Sequence, residues 1–347
     1  MPRDTRRRFL EALAPHLTQI ENAFIEAFAD MRSAAAQRTL EEIVQRYTET
    51  GDIEAAILDM RAAIGFAARG FYAPLDRAHS NAFIAGGLYQ QGLLPKRALN
   101  TAPKLVVRFD GFHERAIETT RRLAGRLITE ISESVETVIR ETLVEARETN
   151  RSYRATTLDL IGRTEGNQRK GGLIGLHSRQ AAAVRKARVE LEALDSCYFR
   201  RAKRDRRFDG TVRKAIKEGR PLSQADVDKI TGRYSDRLLR LRADMIARTE
   251  GNGAMNAGRH EATQQMIDSG KVPVEAITRI WDSTPGPRTR DSHRAMQGQE
   301  VRWQAKFQSP VTGAFLAHPH DPEAPAAETV NCRCSERIRI DWAMVAS

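Results

Sequence analysis

Cysteine, aromatic residues and long apolar runs are all scarce in this sequence. Three cysteines make a poor disulfide framework, and a bridge between Cys332 and Cys334 would close a strained ring. Aromatic residues make up 6% of the chain, which is a low share. Because no stretch of about 18 apolar residues occurs, we expect no membrane-spanning helix. The basic start lacks the apolar core of a secretory signal, so we expect a protein that is cytoplasmic where it is made.

Acidic residues are fewer than basic ones, and the formal net charge is +11. This excess favours an acidic partner, either nucleic acid or an acidic protein surface. Between Phe199 and Arg220 the chain holds ten Lys or Arg and three Asp or Glu, a net charge of +7. Two interpretations stay open: non-specific contact with duplex DNA phosphates, or a solvated surface that docks on an acidic protein. The candidate contact residues are Arg200, Arg201, Lys203, Arg204, Arg206 and Arg207.

Apolar residues at three- and four-residue steps predict helices over most of the chain before residue 277. In the first 92 residues, Asp52 and Asp76 are candidate helix N-caps. One long helix is predicted from about Phe112 to Asn150, and it either organises a bundle or joins the subunits of a homo-oligomer. Its predicted core stripe consists of Ala124, Ile128, Ile131, Val135, Val138 and Thr142.

A five-residue motif occurs twice. Residues 163–167 and 248–252 both read Arg-Thr-Glu-Gly-Asn, and each copy is followed by glycine and then by a histidine, His177 or His260. We interpret the two copies as related helix–helix elements that pack together. Their Arg and Glu side chains are two residues apart, so they point towards neighbouring helices rather than towards each other. Buried ion pairs are therefore a better interpretation than catalysis.

After Ile277 the pattern changes to short apolar runs separated by turn residues. Val301–Trp303 and Ile338–Ile340 are candidate strands, and Phe307–Leu316 is typical of a hairpin. We therefore predict a mainly α fold with a small C-terminal α+β lobe. The predicted regions are 1–103 (helical), 104–270 (the long helix, the duplicated motif and the basic segment) and 271–347 (the lobe).

Polar side chains that could converge are concentrated in this lobe. A metal site would use His293, Cys332 and Cys334, and three protein ligands are compatible with zinc. The candidates for a fourth ligand are His318, His320, Asp282 and Asp291. The C-x-C spacing is tighter than the C-x2-C of common zinc knuckles, which weighs against a metal.

Two further interpretations use the same residues. In an enzyme, His293 would act as a base while Arg288 or Arg290 holds a phosphate. The sequence contains no H-E-x-x-H, G-x-S-x-G or P-loop signature to support this. In a polar core, Asp282, Arg290, His293 and Asn331 would bond backbone groups and fix irregular loops. We favour this metal-free core, without a cofactor and without catalysis.

The order of these residues resembles the phage Mu F-like head morphogenesis family, the minor head proteins of tailed bacteriophages. The resemblance covers roughly Asp195 to Arg339. It is carried by Arg248, Glu250, Trp281, Asp282, Arg288, Arg290, His293, Asn331, Cys332 and Cys334. One departure lies in the loop around Asp321, where His320 stands at a position at which glycine is usual, so the turn there is expected to differ.

The resemblance implies a structural protein of the virion that is assembled in the host cytoplasm. Its implied partners are the portal and capsid proteins, and contact with packaged double-stranded DNA stays open. The alternative function is a phosphate-directed hydrolase or nuclease, or a toxin-like enzyme, built on His293 and the nearby arginines.

Overall fold

The computed structural model describes residues 2–28, 34–65, 72–94, 108–165 and 168–345. Most of these residues are helical and the strands are short and antiparallel, which confirms the predicted mainly α fold with a small α+β region. The chain divides into two compact units, each built from segments that are not consecutive. Unit 1 comprises Met1–Asn22, Leu75–Arg126 and Asp244–Ser347, and unit 2 comprises Ala23–Pro74 and Leu127–Ala243. The three consecutive regions stay a prediction, and their first boundary, near residue 103, lies outside the described residues.

Helices dominate the described part of the chain. They are α1 (Pro2–Ala27), α2 (Ala34–Thr50), α3 (Ile53–Ile64), α4 (Ala73–Gly92), α5 (Glu114–Glu148), α6 (Tyr153–Ile161), α7 (Ser178–Glu192), α8 (Asp209–Glu218), α9 (Gln224–Asp268), α10 (Asp291–Ala295), α11 (Ala326–Thr329) and α12 (Trp342–Val345). The strands are β1 (Arg163–Glu165), β2 (Gln168–Lys170), β3 (Ile277–Asp282), β4 (Glu300–Arg302), β5 (Phe307–Gln308), β6 (Phe315–Leu316) and β7 (Ser335–Ile340). None of the helices within the described ranges combines the length and apolarity that crossing a membrane requires.

The long helix and one of the two predicted caps agree with the sequence analysis. All six residues of the predicted stripe on α5 are buried. Asp52 caps α3, because its side chain accepts a hydrogen bond from the backbone N–H of Ala55. The prediction for Asp76 was wrong, because α4 begins at Ala73 and Asp76 lies inside its first turn.

The duplicated motif adopts two different structures, so the prediction of two related helical elements was wrong for the first copy. Residues 163–165 form β1 of a hairpin with β2, and Gly166 and Asn167 lie outside the described residues. Residues 248–252 lie inside the continuous helix α9. The preceding residue accounts for the difference. Gly162 ends α6 with a φ of +87°, which side chains rarely adopt, whereas the second copy has Ala247 at that position and the helix continues.

The C-terminal lobe, within unit 1, contains a three-stranded antiparallel sheet in the order β4-β3-β7. The central strand β3 pairs with β7 over its whole length, from Ile277 opposite Ile340 to Asp282 opposite Ser335. The predicted hairpin is confirmed by the pairing of β5 with β6. Its Phe307 packs edge-on against Trp281 of β3, at 5.3 Å between ring centroids, and both side chains are fully buried.

Helices α4 and α9 cross in unit 1 with their backbones in direct contact, because glycine occupies both sides of the crossing. A Cβ added to Gly258 would lie 1.9 Å from the carbonyl oxygen of Phe83. A Cβ added to Gly86 would lie 2.0 Å from the carbonyl oxygen of Met255. Neither position can hold a side chain unless the helices separate.

We predict that Gly258→Ala and Gly86→Ala each lower the free energy of unfolding by about 1–3 kcal/mol, as overpacking does. The matched control is Gly125→Ala in α5, where an added Cβ meets nothing within 4 Å. That substitution should raise stability by about 0.5–1 kcal/mol through helix propensity. Denaturant unfolding of the three variants measures these changes, and equal effects at all three positions would contradict the crossing geometry.

Candidate functional site

The pairing of β3 with β7 brings His293 close to the two cysteines of the lobe. Asp282 at the end of β3 lies opposite Ser335 at the start of β7, and Cys334 immediately precedes Ser335. The chain that leaves β3 runs into the short helix α10, which carries His293. Two side chains of this connection bind the cysteine segment: Thr284 donates to the carbonyl of Arg333 at 2.5 Å, and Arg290 donates to that of Val330.

His293, Cys332 and Cys334 form a compact buried cluster, which we call the His–Cys cluster. The Nδ1 atom of His293 lies 3.4 Å from the Sγ atom of Cys332 and 3.4 Å from that of Cys334. One ligand atom from each residue lies within 4.8 Å of the other two. Within the described residues, none of the four candidates for a fourth ligand joins this group.

The other nitrogen of His293 faces a carboxylate that sequence reasoning missed. Its Nε2 atom lies 2.9 Å from Oε2 of Glu328 in α11, and both side chains are 2% exposed. Two hydroxyl groups hold this carboxylate, since Ser292 donates to Oε2 at 2.9 Å and Thr312 to Oε1 at 2.6 Å. Burial opposes ionisation of Glu328, but these donors and the nearby His293 outweigh it and lower its pKa. No local pattern identifies Glu328, because it joins the site through tertiary contacts alone.

The two thiols influence each other because they are buried together. The hydrogen bond to Cys334, together with burial, raises the pKa of Cys332 well above its ordinary value. The same hydrogen bond lowers the pKa of Cys334, against the effect of burial and with help from His293. Cys334 therefore has the stronger thiolate character of the pair.

The His–Cys cluster borders a cleft of about 540 Å³ lined by four arginines. They are Arg248, Arg288, Arg290 and Arg333. Arg248 is paired with Asp244 one helical turn earlier, whereas Arg288 and Arg333 are exposed at the rim. This arginine cleft is therefore cationic and suited to an anion.

The Arg and Glu residues of the duplicated motif contact other residues rather than each other. In unit 2, Arg163 pairs with Asp159 and Asp228, each at 2.9 Å, and Glu165 pairs with Arg233 at 2.8 Å. These side chains are partly exposed. In unit 1, Glu250 lies 3.9 Å from Nε2 of the buried His79. The contacts of Arg163 and Glu165 are those of structural ion pairs. Burial lowers the pKa of His79 to about 4, so its contact with Glu250 is not an ion pair at neutral pH.

Two non-glycine residues of the lobe occupy the left-handed backbone region. Asn331, the first residue of the Asn-Cys-Arg-Cys motif, has a φ of +61°, and its backbone N–H donates to Thr249 Oγ1 at 3.0 Å. Asparagine tolerates this conformation better than most residues. His320 has a φ of +65°, so the turn keeps the backbone conformation that a glycine would favour while burying an imidazole. That burial lowers the pKa of His320 to about 3.

The basic segment, residues 199–220, lies in unit 2 and presents its charges in two directions. Arg201 and Arg204 point inward: each forms a two-pronged ion pair, with Glu190 at 2.6 and 2.8 Å and with Asp209 at 2.9 and 2.8 Å. Arg207 pairs with the buried Asp205 but is 73% exposed. The exposed cations of the segment are Arg200, Lys203, Arg206, Arg207, Arg213, Lys214, Lys217 and Arg220. The six predicted contact residues therefore do not form one surface.

The described residues form a mainly helical protein with a Cys/His-bearing C-terminal lobe in unit 1 and a basic segment in unit 2. Residues 207–337 match the family model described as Phage Mu protein F like protein, so the chain is Mu F-like over this region and the predicted resemblance is confirmed. The matched family is one of phage head morphogenesis. Searches of curated proteins and of solved structures returned no match.

We predict that Asn331→Gly changes stability by no more than about 0.5 kcal/mol, because the side chain is exposed and glycine adopts positive φ freely. Asn331→Val should destabilise the lobe by about 1–2 kcal/mol, because a β-branched residue is strained there. Arg333→Val, at an exposed neighbour outside the positive-φ region, is the control. Thermal unfolding would contradict the backbone argument if both Val variants behaved alike.

Proposed function

We propose that this chain is a minor head protein of a tailed phage or prophage and assembles with the portal and capsid proteins. The Mu F-like match over residues 207–337 is the observation that supports this most directly. It covers the His–Cys cluster and the arginine cleft, and it begins inside the basic segment. The role is one of assembly and structure in the particle.

The surroundings of His293 argue against the enzymatic alternative. A general base needs a ring nitrogen free to reach its substrate. Here Nε2 lies 2.9 Å from Glu328 and Nδ1 lies 3.4 Å from both sulfur atoms, so each nitrogen already faces a group of the protein. His293 is buried among these groups, whereas Arg288 is exposed at the rim of the cleft.

For the virion role, we predict that deleting the gene from its phage or prophage leaves particles absent, unstable or poorly infectious. The mature wild-type particles should contain the protein in a fixed number of copies, measured by quantitative mass spectrometry. Complementation in trans is the control for effects on neighbouring genes. Normal heads and a normal titre without the protein would contradict a virion role.

We further propose that the outward face of the basic segment contacts packaged DNA without reading its sequence. Phosphate neutralisation requires exposed cations and no base-reading motif. Arg200, Lys203 and Arg206 are exposed, and α8 adds further exposed cations. The inward Arg201 and Arg204 support the surface instead, since they bind the carboxylates that would otherwise oppose phosphate.

We predict salt-sensitive binding of the protein to duplex DNA of any sequence. The combined change Arg200→Ala, Lys203→Ala and Arg206→Ala should reduce the slope of log K against log salt by about 2–3, because about 0.9 is lost per phosphate contact. The charge-matched control changes three exposed cations elsewhere: Arg77→Ala, Arg154→Ala and Lys306→Ala. Fluorescence anisotropy over a salt series measures both.

Two results would contradict DNA contact at this surface. One is the absence of binding at low salt, and the other is an equal loss of slope in both triple variants. In either case the segment would act through a protein partner or through net charge alone. Arg201→Ala should be excluded from the binding series, because it leaves the buried Glu190 without its partner and lowers stability instead.

A further inference from the structure

The spacing of the donor atoms in the His–Cys cluster matches a tetrahedral metal centre. Zinc binds thiolate sulfur at about 2.3 Å and imidazole nitrogen at about 2.0–2.1 Å. Bonds of these lengths at tetrahedral angles place a sulfur and a nitrogen ligand about 3.6 Å apart. The observed distances from His293 Nδ1 to the two sulfur atoms are both 3.4 Å. Both distances are within a few tenths of an ångström of that value, and the two sulfur atoms lie within 4.8 Å of each other.

The contacts of the opposite nitrogen give an independent argument. A histidine that binds a metal usually directs its other nitrogen at a carboxylate or a carbonyl, which fixes the orientation of the ring. The Nε2 atom of His293 lies 2.9 Å from a carboxylate oxygen of Glu328, and that carboxylate is itself held by Ser292 and Thr312. Trp281 packs edge-on against the ring at 5.3 Å and limits its rotation. These contacts hold the His293 ring as they would hold a metal ligand, and its Nδ1 atom faces the two sulfur atoms.

A metal-free polar core accounts for this arrangement less well. With Nε2 placed 2.9 Å from Glu328, the Nδ1 atom of His293 has two sulfur atoms at the same distance from it. Thiols are weak donors, so a thiol that donates to Nδ1 and a thiol that donates to the other sulfur atom each contribute little. A divalent cation would engage all three atoms, and two thiolates would neutralise its charge in a buried site.

We propose that His293, Cys332 and Cys334 bind one zinc ion, with the fourth coordination position directed at the arginine cleft and taken by water or a small anion. All three residues line that cleft, so an exogenous ligand can reach the ion. Soft thiolates combined with imidazole favour zinc over magnesium, calcium or manganese. The ion would tie α10 to the segment before β7, across residues 39 and 41 positions apart in the chain.

The test begins with the metal content of the full-length protein. After purification and removal of loosely bound metal, mass spectrometry of the elements should find one zinc per chain in wild type and in Cys197→Ser, which removes the remaining cysteine, in unit 2. Cys332→Ser and Cys334→Ser should lose the zinc. Glu328→Gln should keep it with affinity about 10–100-fold weaker, as loss of a supporting partner does.

A second measurement uses wild type alone, in case the cysteine variants do not fold. Chelator should lower its melting temperature, and added zinc, but not magnesium, should restore it. The apoprotein should also withdraw zinc from a chromophoric chelator at a ratio of one to one. Wild type that takes up no zinc in this competition, or whose melting temperature ignores chelator, would overturn the proposal. A different metal in stoichiometric amount would overturn the assignment to zinc.

Discussion

The antiparallel pairing of β3 with β7 is the interaction on which the C-terminal lobe depends. Its register brings Cys334 beside the chain that leads to His293, and it buries Trp281 beneath the hairpin. A buried ion pair marks this register. Arg279 of β3 and Glu336 of β7 lie diagonally across the ladder, 3.5 Å apart, with side chains 2% and 0% exposed. A slip of one residue would turn every side chain to the opposite face and separate two charges that water cannot reach.

Features of the fold with a local cause were predictable from the sequence. The α5 stripe follows the helical period, and the hairpin between Phe307 and Leu316 follows turn chemistry. The role of Glu328 was not predictable, because it arises only when α11 packs against α10 and the β5–β6 hairpin. The spacing of residues in the sequence does not indicate that contact. The duplicated motif shows the same limit. Identical residues became strand in one copy and helix in the other, since Gly162 stops a helix that Ala247 extends.

Counting charges predicted the basic segment but not the direction of its side chains. Arg201 and Arg204 are held between carboxylates and aromatic rings, with Arg201 over Tyr234 and Arg204 over Phe199. The exposed cations of the segment therefore project from a well-packed part of the chain rather than from a loose loop. A surface already ordered loses less conformational entropy when it binds. Arginine therefore has two roles within this segment. Arg201 and Arg204, which have acidic neighbours on the inner side, support the surface, and the outward arginines form it.

The crossing of α4 and α9 has a consequence for how this chain can vary. At most packed positions, a larger residue on one element can be accommodated by a smaller one on its partner. Such compensation is not possible here, because the atoms that an added side chain at Gly86 or Gly258 would meet are the backbone carbonyls of Met255 and Phe83. No substitution at residue 255 or 83 removes a carbonyl. The two glycines are therefore positions without second-site suppressors, and related chains that keep this crossing should keep glycine at both.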